Sequence, residues 1–291
     1  MLHPAQGPSE LRSLLARGGL IIAPGVYDGL SARVAQAAGF TALYVSGGAI
    51  ARSMGYPDVG LVTQAEMVKR LEEIRAVTSL PLIADADTGY GNELNVIRTV
   101  RAYERAGAAA LHIEDQAEPK RCGHYEGKAL VEVDDMVGKI RAALAARTQD
   151  GPLLIARTDA RAVLGLEAAI ERGNAYAGAG AEIIFIEAPQ SVAEIERIAH
   201  AVRAPLLINM FVGGKTPLVP TGRLAELGYR LMIVPSDLQR AAIRAMQRAA
   251  TALHRHGNTT PVAEELASFA EREQIVGLPE LEALHKRLRE R

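Results

Sequence analysis

The feature that most constrains this chain is a short apolar run that recurs eight times, with segments of helical period between the repeats. The runs are Leu20-Ile21-Ile22-Ala23, Ala42-Leu43-Tyr44-Val45-Ser46, Leu80-Pro81-Leu82-Ile83-Ala84-Asp85 and Ala110-Leu111-His112-Ile113-Glu114. They continue with Leu153-Leu154-Ile155-Ala156-Arg157, Glu182-Ile183-Ile184-Phe185-Ile186-Glu187, Leu206-Leu207-Ile208-Asn209 and Leu231-Met232-Ile233-Val234. None alternates apolar with polar, so each reads as a strand covered on both faces, as in a parallel sheet. Amphipathic stretches such as 64–77, 93–106, 134–146, 166–177 and 192–202 fill the gaps. Ala38-Gly39, Ala106-Gly107 and Ala179-Gly180 put a glycine where a helix should stop. Strand–helix units repeated eight times predict a (β/α)8 TIM-type barrel of the α/β class; a doubly wound open sheet is the competitor, and the count favours the barrel. No linker or composition break divides the chain, so residues 1–291 read as a single barrel domain, with about 237–291 as a C-terminal helical extension. That extension exceeds what one barrel helix needs and is expected to pack elsewhere, including on a partner subunit.

Composition excludes several functions. Lys and Arg number 33 against 34 Asp and Glu, a net charge of −1, which argues against the basic face that a nucleic-acid partner requires. Aromatics are 4% with no Trp, so stacking platforms are not expected. The one cysteine, Cys122, rules out an intramolecular disulfide and a multi-cysteine zinc site. No apolar run reaches the roughly 20 residues of a membrane span, and the first residues lack a basic segment followed by an apolar one. A cytoplasmic protein with no membrane partner is the expectation.

In a barrel, chemistry gathers at the C-terminal ends of the strands. Here those ends carry Ser46, Asp85 with Asp87, Glu114-Asp115, Arg157 with Asp159, Glu187 and Asn209. Asp85 and Asp87, two residues apart, can face one hard cation such as Mg2+ or Mn2+, with Glu114 orienting its waters; the alternative is a turn that uses Asp and Gly for backbone reasons. The segment Glu118-Pro119-Lys120-Arg121-Cys122-Gly123-His124 lies in a long insertion after the fourth strand, where lids occur. Cations and an imidazole beside Cys122 would favour its thiolate and make it a plausible proton donor or nucleophile; the alternative is a surface thiol. Arg157 suits a substrate carboxylate, or an ion pair with Asp159 or the Asp85 cluster. Ser46-Gly47-Gly48 reads as a loop whose N–H groups cradle an anion, or as a simple turn. Gly213-Gly214-Lys215-Thr216 lacks the spacing of a phosphate-binding loop.

Taken in order, these motifs resemble the isocitrate lyase/phosphoenolpyruvate mutase superfamily, from about Leu11 to at least Arg248. The resemblance rests on Pro24-Gly25-Val26-Tyr27-Asp28, Ser46-Gly47-Gly48, Gly55-Tyr56-Pro57-Asp58, Asp85 to Gly91, Glu114-Asp115-Gln116, Lys120 to His124, Arg157-Thr158-Asp159, Glu187-Ala188-Pro189 and Asn209. It implies a barrel that binds Mg2+ (or Mn2+) through Asp85 and Asp87 with Glu114 nearby. It implies a small-molecule 2-oxo or 2-hydroxy carboxylate held by Ser46, Gly47, Gly48 and Arg157, with Gly123, Glu187, Asn209 and Arg240 around the second fragment. A gating loop would carry Lys120, Cys122 and His124. A C-terminal helix would be swapped between subunits of a homotetramer built as a dimer of dimers.

Within the superfamily, Cys-Gly-His resembles the carbon–carbon lyases, whereas phosphonate mutases have Asn where Cys122 stands. The resemblance therefore implies that Cys122 protonates a departing carbanion after a base removes the 2-hydroxyl proton; Tyr44, Asp58 and Lys120 are all candidates for that base. Tyr125-Glu126-Gly127-Lys128 after His124 is similar to the 2,3-dimethylmalate lyase branch, while Pro235 departs from the Ser of oxaloacetate hydrolases. Phe211 and Val212 imply an apolar pocket. A lyase acting on a 2-alkylmalate or 2-methylisocitrate-type substrate leads; a phosphonomutase, an oxaloacetate decarboxylase or hydrolase, and a non-catalytic metabolite-binding barrel are the alternatives.

Overall fold

The computed structural model describes residues 7–123 and 125–290. Among them, eight strands form a closed parallel barrel in chain order: β1 (Ile21–Val26), β2 (Leu43–Val45), β3 (Leu82–Asp85), β4 (Ala110–Glu114), β5 (Leu153–Thr158), β6 (Ile183–Ile186), β7 (Leu206–Asn209) and β8 (Tyr229–Val234). Each expected apolar run supplies one strand, and β1 pairs with β8 through Ile21↔Leu231 to Pro24↔Val234 to close the ring. The runs are continuous because both faces of every strand are covered. Ile83, Ile155, Phe185 and Leu207 belong to one core cluster. Their neighbours Leu82, Ala84, Leu154, Ala156, Ile184, Ile186, Leu206 and Ile208 belong to a second cluster, shared with Leu71, Ile74, Val96, Val100, Tyr103 and Ile140 of the helices. The first set fills the barrel and the second seals it to the outer ring.

That ring follows the amphipathic stretches. After α1 (Gly7–Ala16) come α2 (Gly29–Ala37), α3 (Gly47–Ser53), α4 (Gln64–Arg75), α5 (Glu93–Arg105), α6 (Val133–Ala146), α7 (Ala160–Val163), α8 (Leu166–Gly178), α9 (Val192–Ala201) and α10 (Thr221–Glu226). Gly39, Gly107 and Gly180 do stop α2, α5 and α8, in left-handed conformations that β-carbons disfavour. Asn92 and Asn95 cap α5 reciprocally, fixing where the chain turns back from the site. Beyond the barrel, α11 (Asp237–His256) starts at the end of β8, and α12 (Phe269–Val276) and α13 (Leu278–Arg289) follow a 3-10 turn. No helix among the described residues is long and apolar enough to cross a membrane.

One local reading is corrected. Ser46-Gly47-Gly48 is not a loop: Gly47 and Gly48 open α3, and Ser46 is its N-cap, its hydroxyl accepting the Ala49 N–H at 3.3 Å. The two glycines there answer a need for space. A β-carbon on Gly47 would lie 2.7 Å from Asp85 Oδ2, and one on Gly48 would lie 2.7 Å from Asp58 Oδ2.

Candidate active site

The site is built on a layer of side chains from alternate strands. Tyr44 of β2 stacks on His112 of β4 with ring centroids 5.8 Å apart, and His112 meets the edge of Phe185 of β6 at 5.9 Å. His112 is fully buried, and its Nε2 sits 2.9 Å from the Tyr44 hydroxyl. Burial pushes the imidazole pKa down, so His112 is neutral; burial and the Asp85 charge push Tyr44 well up, so it keeps its proton.

Above this floor the strand ends crowd six buried carboxylates (Asp58, Asp85, Asp87, Glu114, Asp159 and Glu187) around three buried cations (Lys120, Lys128 and Arg157). Asp85 Oδ2 accepts the Gly47 N–H at 3.2 Å and lies 3.3 Å from the Tyr44 hydroxyl, while Oδ1 accepts the Asp87 N–H at 3.1 Å. Burial works against the Asp85 charge, but His112, Lys120 and Arg157 outweigh it and hold the group near a pKa of about 2. Asp87 goes the other way, to about 7, because burial and the Asp85 charge exceed what Lys120 returns. Glu114 is pushed well up, burial again leading. By formal count, six carboxylates in this cluster face the three cations.

The oxygens of this cluster are the ones that could hold a hard divalent cation. Glu114 Oε1 is buried with no hydrogen-bond partner, and Asp87 Oδ1 has only the Lys120 ammonium, 2.6 Å away. Among the described residues no group of three His, Cys, Asp or Glu side chains is placed to hold a metal ion by itself. An incomplete set of hard oxygens suits Mg2+, which keeps waters and takes oxygens from its substrate.

Arg157, at the end of β5, is fixed on all sides. Its Nε and Nη2 donate to Asp159 at 2.9 and 3.2 Å, Nη1 lies 3.2 Å from Glu114 and Nη2 3.6 Å from Glu187. Its guanidinium stands over the Phe185 ring at 5.2 Å. Arg157 is ion-paired to Asp159, as one of its two sequence readings expects, and it also lines the cavity. Asp159 is positioned in turn by Asp115, a completely buried carboxylate that accepts the Thr158 hydroxyl at 2.7 Å, the Asp159 N–H at 3.0 Å, Arg172 at 3.1 Å and the Tyr176 hydroxyl at 2.8 Å.

The long insertion after β4 folds over the barrel mouth. Gln116 grips Arg121 twice, through its N–H at 2.9 Å and its carbonyl at 2.8 Å. Lys120 reaches down to Asp58 and Asp87, both at 2.6 Å, and the Cys122 N–H donates to the Asp58 carbonyl at 3.2 Å. The cavity beneath it is about 290 Å³ and stays partly open to solvent. Tyr44, Ser46, Gly48, Asp58, Asp85, Glu114, Lys120, Cys122, Gly123, Arg157, Glu187, Asn209 and Arg240 all line it. Gly47 and Asp87 lie just behind, beside Asp58 and Lys120. His124 lies outside the described residues. Arg240 sits at the rim, where it is engaged by Asp237 at 3.0 Å and by the Val212 carbonyl.

Sequence reasoning missed several lining residues. Ser236 and Gln239 follow β8 directly, and reading strand ends only as far as Asn209 passed over them. Ser236 Oγ is buried with no hydrogen-bond partner, and Gln239 donates to the Ala49 carbonyl at 2.7 Å. Arg52 projects from α3, one turn after Gly48, and lines the cavity with Tyr125. His112 was visible as the one imidazole inside an apolar run, a signal that strand-end counting does not weigh.

Residues 11–254 match the family model described as phosphoenolpyruvate phosphomutase. The chain is 43% identical over 274 residues to a 2,3-dimethylmalate lyase of Eubacterium barkeri, covering 94% of this chain and 95% of that one. It is 44% identical over 281 residues to a 2-methylisocitrate lyase of Aeropyrum pernix, covering 96% and 91%. Among solved structures, an oxaloacetate acetylhydrolase bound to 3,3-difluorooxalacetate superposes with a TM-score of 0.91 at 36% identity over 97% of each chain. A 2,3-dimethylmalate lyase described as a PEP mutase/isocitrate lyase superfamily member gives 0.90 at 40% identity, over 96% and 94%. A phosphonopyruvate hydrolase holding oxalate and Mg2+ gives 0.87 at 32%, over 96% and 98%.

Proposed function

The chain belongs to the phosphoenolpyruvate phosphomutase family of the PEP mutase/isocitrate lyase superfamily, and from that premise we propose that it is a Mg2+-dependent carbon–carbon lyase. Its substrate is a 2-hydroxy dicarboxylate of the 2-alkylmalate or 2-methylisocitrate type, and its products are a 2-oxoacid (pyruvate or glyoxylate) and a carboxylate. The observation that carries this reading is Cys122. The insertion brings its thiol to the same cavity as Arg157, Asp85 and Glu114, so a proton donor faces the anion clamp and the acidic cluster.

The chain's own groups divide the work. Arg157 binds the carboxylate next to the reacting carbon, and the cap of α3 lies beside it. Of the three candidate bases, Tyr44 and Lys120 are engaged as donors, to Asp85 and to Asp58 and Asp87. Asp58 is the acceptor, so it takes the 2-hydroxyl proton. The C2–C3 bond then breaks, C2 becomes the oxo carbon, and the electron pair left on C3 delocalises into its carboxylate. Cys122 delivers its proton to C3, and the proton held by Asp58 restores the thiol through solvent. Asp85, Asp87 and Glu114 would hold Mg2+ directly or through water; when bound, it supplies a Lewis acid for the developing charge on the 2-oxoacid oxygens.

The outer wall favours an alkyl-substituted substrate over one with a third carboxylate. Phe211, Ile233, Pro235 and Ile243 line it, and Arg240 is already engaged at the rim. A second reading, hydrolysis of oxaloacetate, has one observation behind it: the buried, unpartnered Ser236 hydroxyl in the cavity. A panel of 2,3-dimethylmalate, 2-methylisocitrate, oxaloacetate and phosphoenolpyruvate with Mg2+, read by proton and phosphorus NMR, separates the readings. We expect 2-oxoacid from the first substrate; oxalate plus acetate, or phosphonopyruvate, as the dominant product would overturn the lyase. The same family reading carries a cytoplasmic homotetramer in which a second copy covers the exposed apolar residues of α11 and α13 (Met246, Leu253, Leu281 and Leu288), testable by light scattering.

A further inference from the structure

Lys128 has no place in the chemistry above, yet it is the most deliberately buried cation on the insertion. It lies at the far end of the loop from Lys120, among exposed neighbours, but only 2% of its side chain is accessible. Its ammonium donates to two acceptors that belong to different parts of the machinery. One is the Gly123 carbonyl at 2.5 Å, next to Cys122. The other is Asp159 Oδ1 at 2.7 Å, on the barrel. Asp159 is the same carboxylate that grips Arg157 in two-pronged fashion, and Asp115 holds its backbone.

Gly123 is also wedged tightly. A β-carbon there would lie 2.5 Å from Arg157 Nη2 and 2.7 Å from Glu187 Cγ. The loop tip therefore seats on the anion clamp with no slack, and Lys128 is the group that bonds the two together. A buried ammonium keeps both bonds only while the loop is down, because lifting the tip takes either the Gly123 carbonyl from Lys128 or Lys128 from Asp159, and leaves a buried charge one partner short in a water-poor setting.

We propose that Lys128 is a positioning residue that latches the loop onto the barrel, so that Cys122 is presented only when the Arg157–Asp159 clamp is in place. The kinetic part of this proposal rests on the lyase reading; the latch itself does not. Glu126, which meets Lys215 at 2.6 Å, is a second tether on the same loop, but it is 88% exposed and is expected to add little.

Two measurements test the latch. The first is trypsin cleavage after Arg121, an exposed residue whose following peptide bond is tied to Gln116 and Asp58 while the loop is down, followed by mass spectrometry in the presence and absence of Mg2+ and oxalate. Lys128→Met keeps the apolar stem without the donor, and cleavage should be about tenfold faster or more, as expected when a charge-assisted bond to a closed segment is lost. Lys128→Arg, which restores charge and two donors, should recover most of the protection. Equal cleavage of wild type and Lys128→Met, or no recovery in Lys128→Arg, would overturn the latch. If Lys128→Met does not fold, Lys128→Gln, whose donor is too short to span both acceptors, takes its place under the same criteria. The second measurement is steady-state kinetics on the cleaved substrate. With Asp159 still gripping Arg157, kcat should fall about 30-fold while KM moves less than about threefold; a rise in KM with kcat unchanged would overturn the coupling to Cys122. Should wild type cleave no 2-hydroxy dicarboxylate, the lyase reading fails while the proteolysis still decides the latch.

Discussion

Gly123→Ala probes the seat of the loop with a single methyl group. The backbone at Gly123 does not need a left-handed conformation, so the effect is one of space alone. Ordinary contact to a β-carbon begins near 3.4 Å, and the new atom would stand 2.5 Å from Arg157 Nη2, a deficit of about 0.9 Å. Arg157 cannot yield cheaply, since Asp159, Glu114 and Glu187 hold it from three sides. The loop must therefore back away by a comparable distance and take Cys122 with it. A displacement near 1 Å at a reacting group costs about 100-fold in rate, or about 2.7 kcal/mol of barrier. Stability should barely change, because the nearest neighbours of the added methyl are Arg157 and Glu187 at the barrel mouth. The assay is initial-rate 2-oxoacid formation, read by a coupled dehydrogenase, beside a thermal melt. A variant that melts like wild type and turns over within about threefold of it would refute the claim that the loop seats on Arg157.

Three further outcomes follow from the same geometry. Gly25→Ala should lower stability by about 3 kcal/mol in chemical denaturation, because its β-carbon would lie 2.1 Å from the Pro235 carbonyl oxygen at the β1–β8 seam, where only backbone can move. Burial pushes Asp159 up, but Arg157 and Lys128 more than offset it and hold its folded pKa below the unfolded value of about 3.9. Its stabilising contribution is thus complete above that value and is lost on further acidification, so the stability gap between wild type and Asp159→Asn should be widest near pH 6 and should shrink below about pH 4. Chelation by EDTA should abolish turnover, with Mg2+ or Mn2+ restoring it, and should leave the barrel folded, as read by circular dichroism.

Much of this molecule is legible in the chain because its layers are regular. Eight apolar runs became eight strands, for a both-faced parallel strand has no other pattern to show. Strand-end polarity located Asp85, Glu114, Arg157, Glu187 and Asn209 for the same reason: a strand end in a barrel has one mouth to face. What escaped depended on three-dimensional closeness. Ser46-Gly47-Gly48 looked like a loop because two glycines disfavour a helix, yet Asp85 and Asp58 stand too near for any side chain there. Asp115 read as part of a motif, and only the approach of α8 shows it to be the anchor of Asp159. Lys128 read only as the last residue of the Tyr125-Glu126-Gly127-Lys128 run, and the burial of its ammonium shows only once the loop is folded back on itself.

Cleavage of 2,3-dimethylmalate in D2O with Mg2+ tests the central claim most directly, because it reports bond scission and proton delivery together. Pyruvate should appear with one equivalent of propionate carrying a single deuterium at C2, at a rate that falls about 100-fold or more in Cys122→Ser while metal binding is kept. Pyruvate formed at the wild-type rate by Cys122→Ser, or no carbon–carbon cleavage by the wild-type protein, would contradict it.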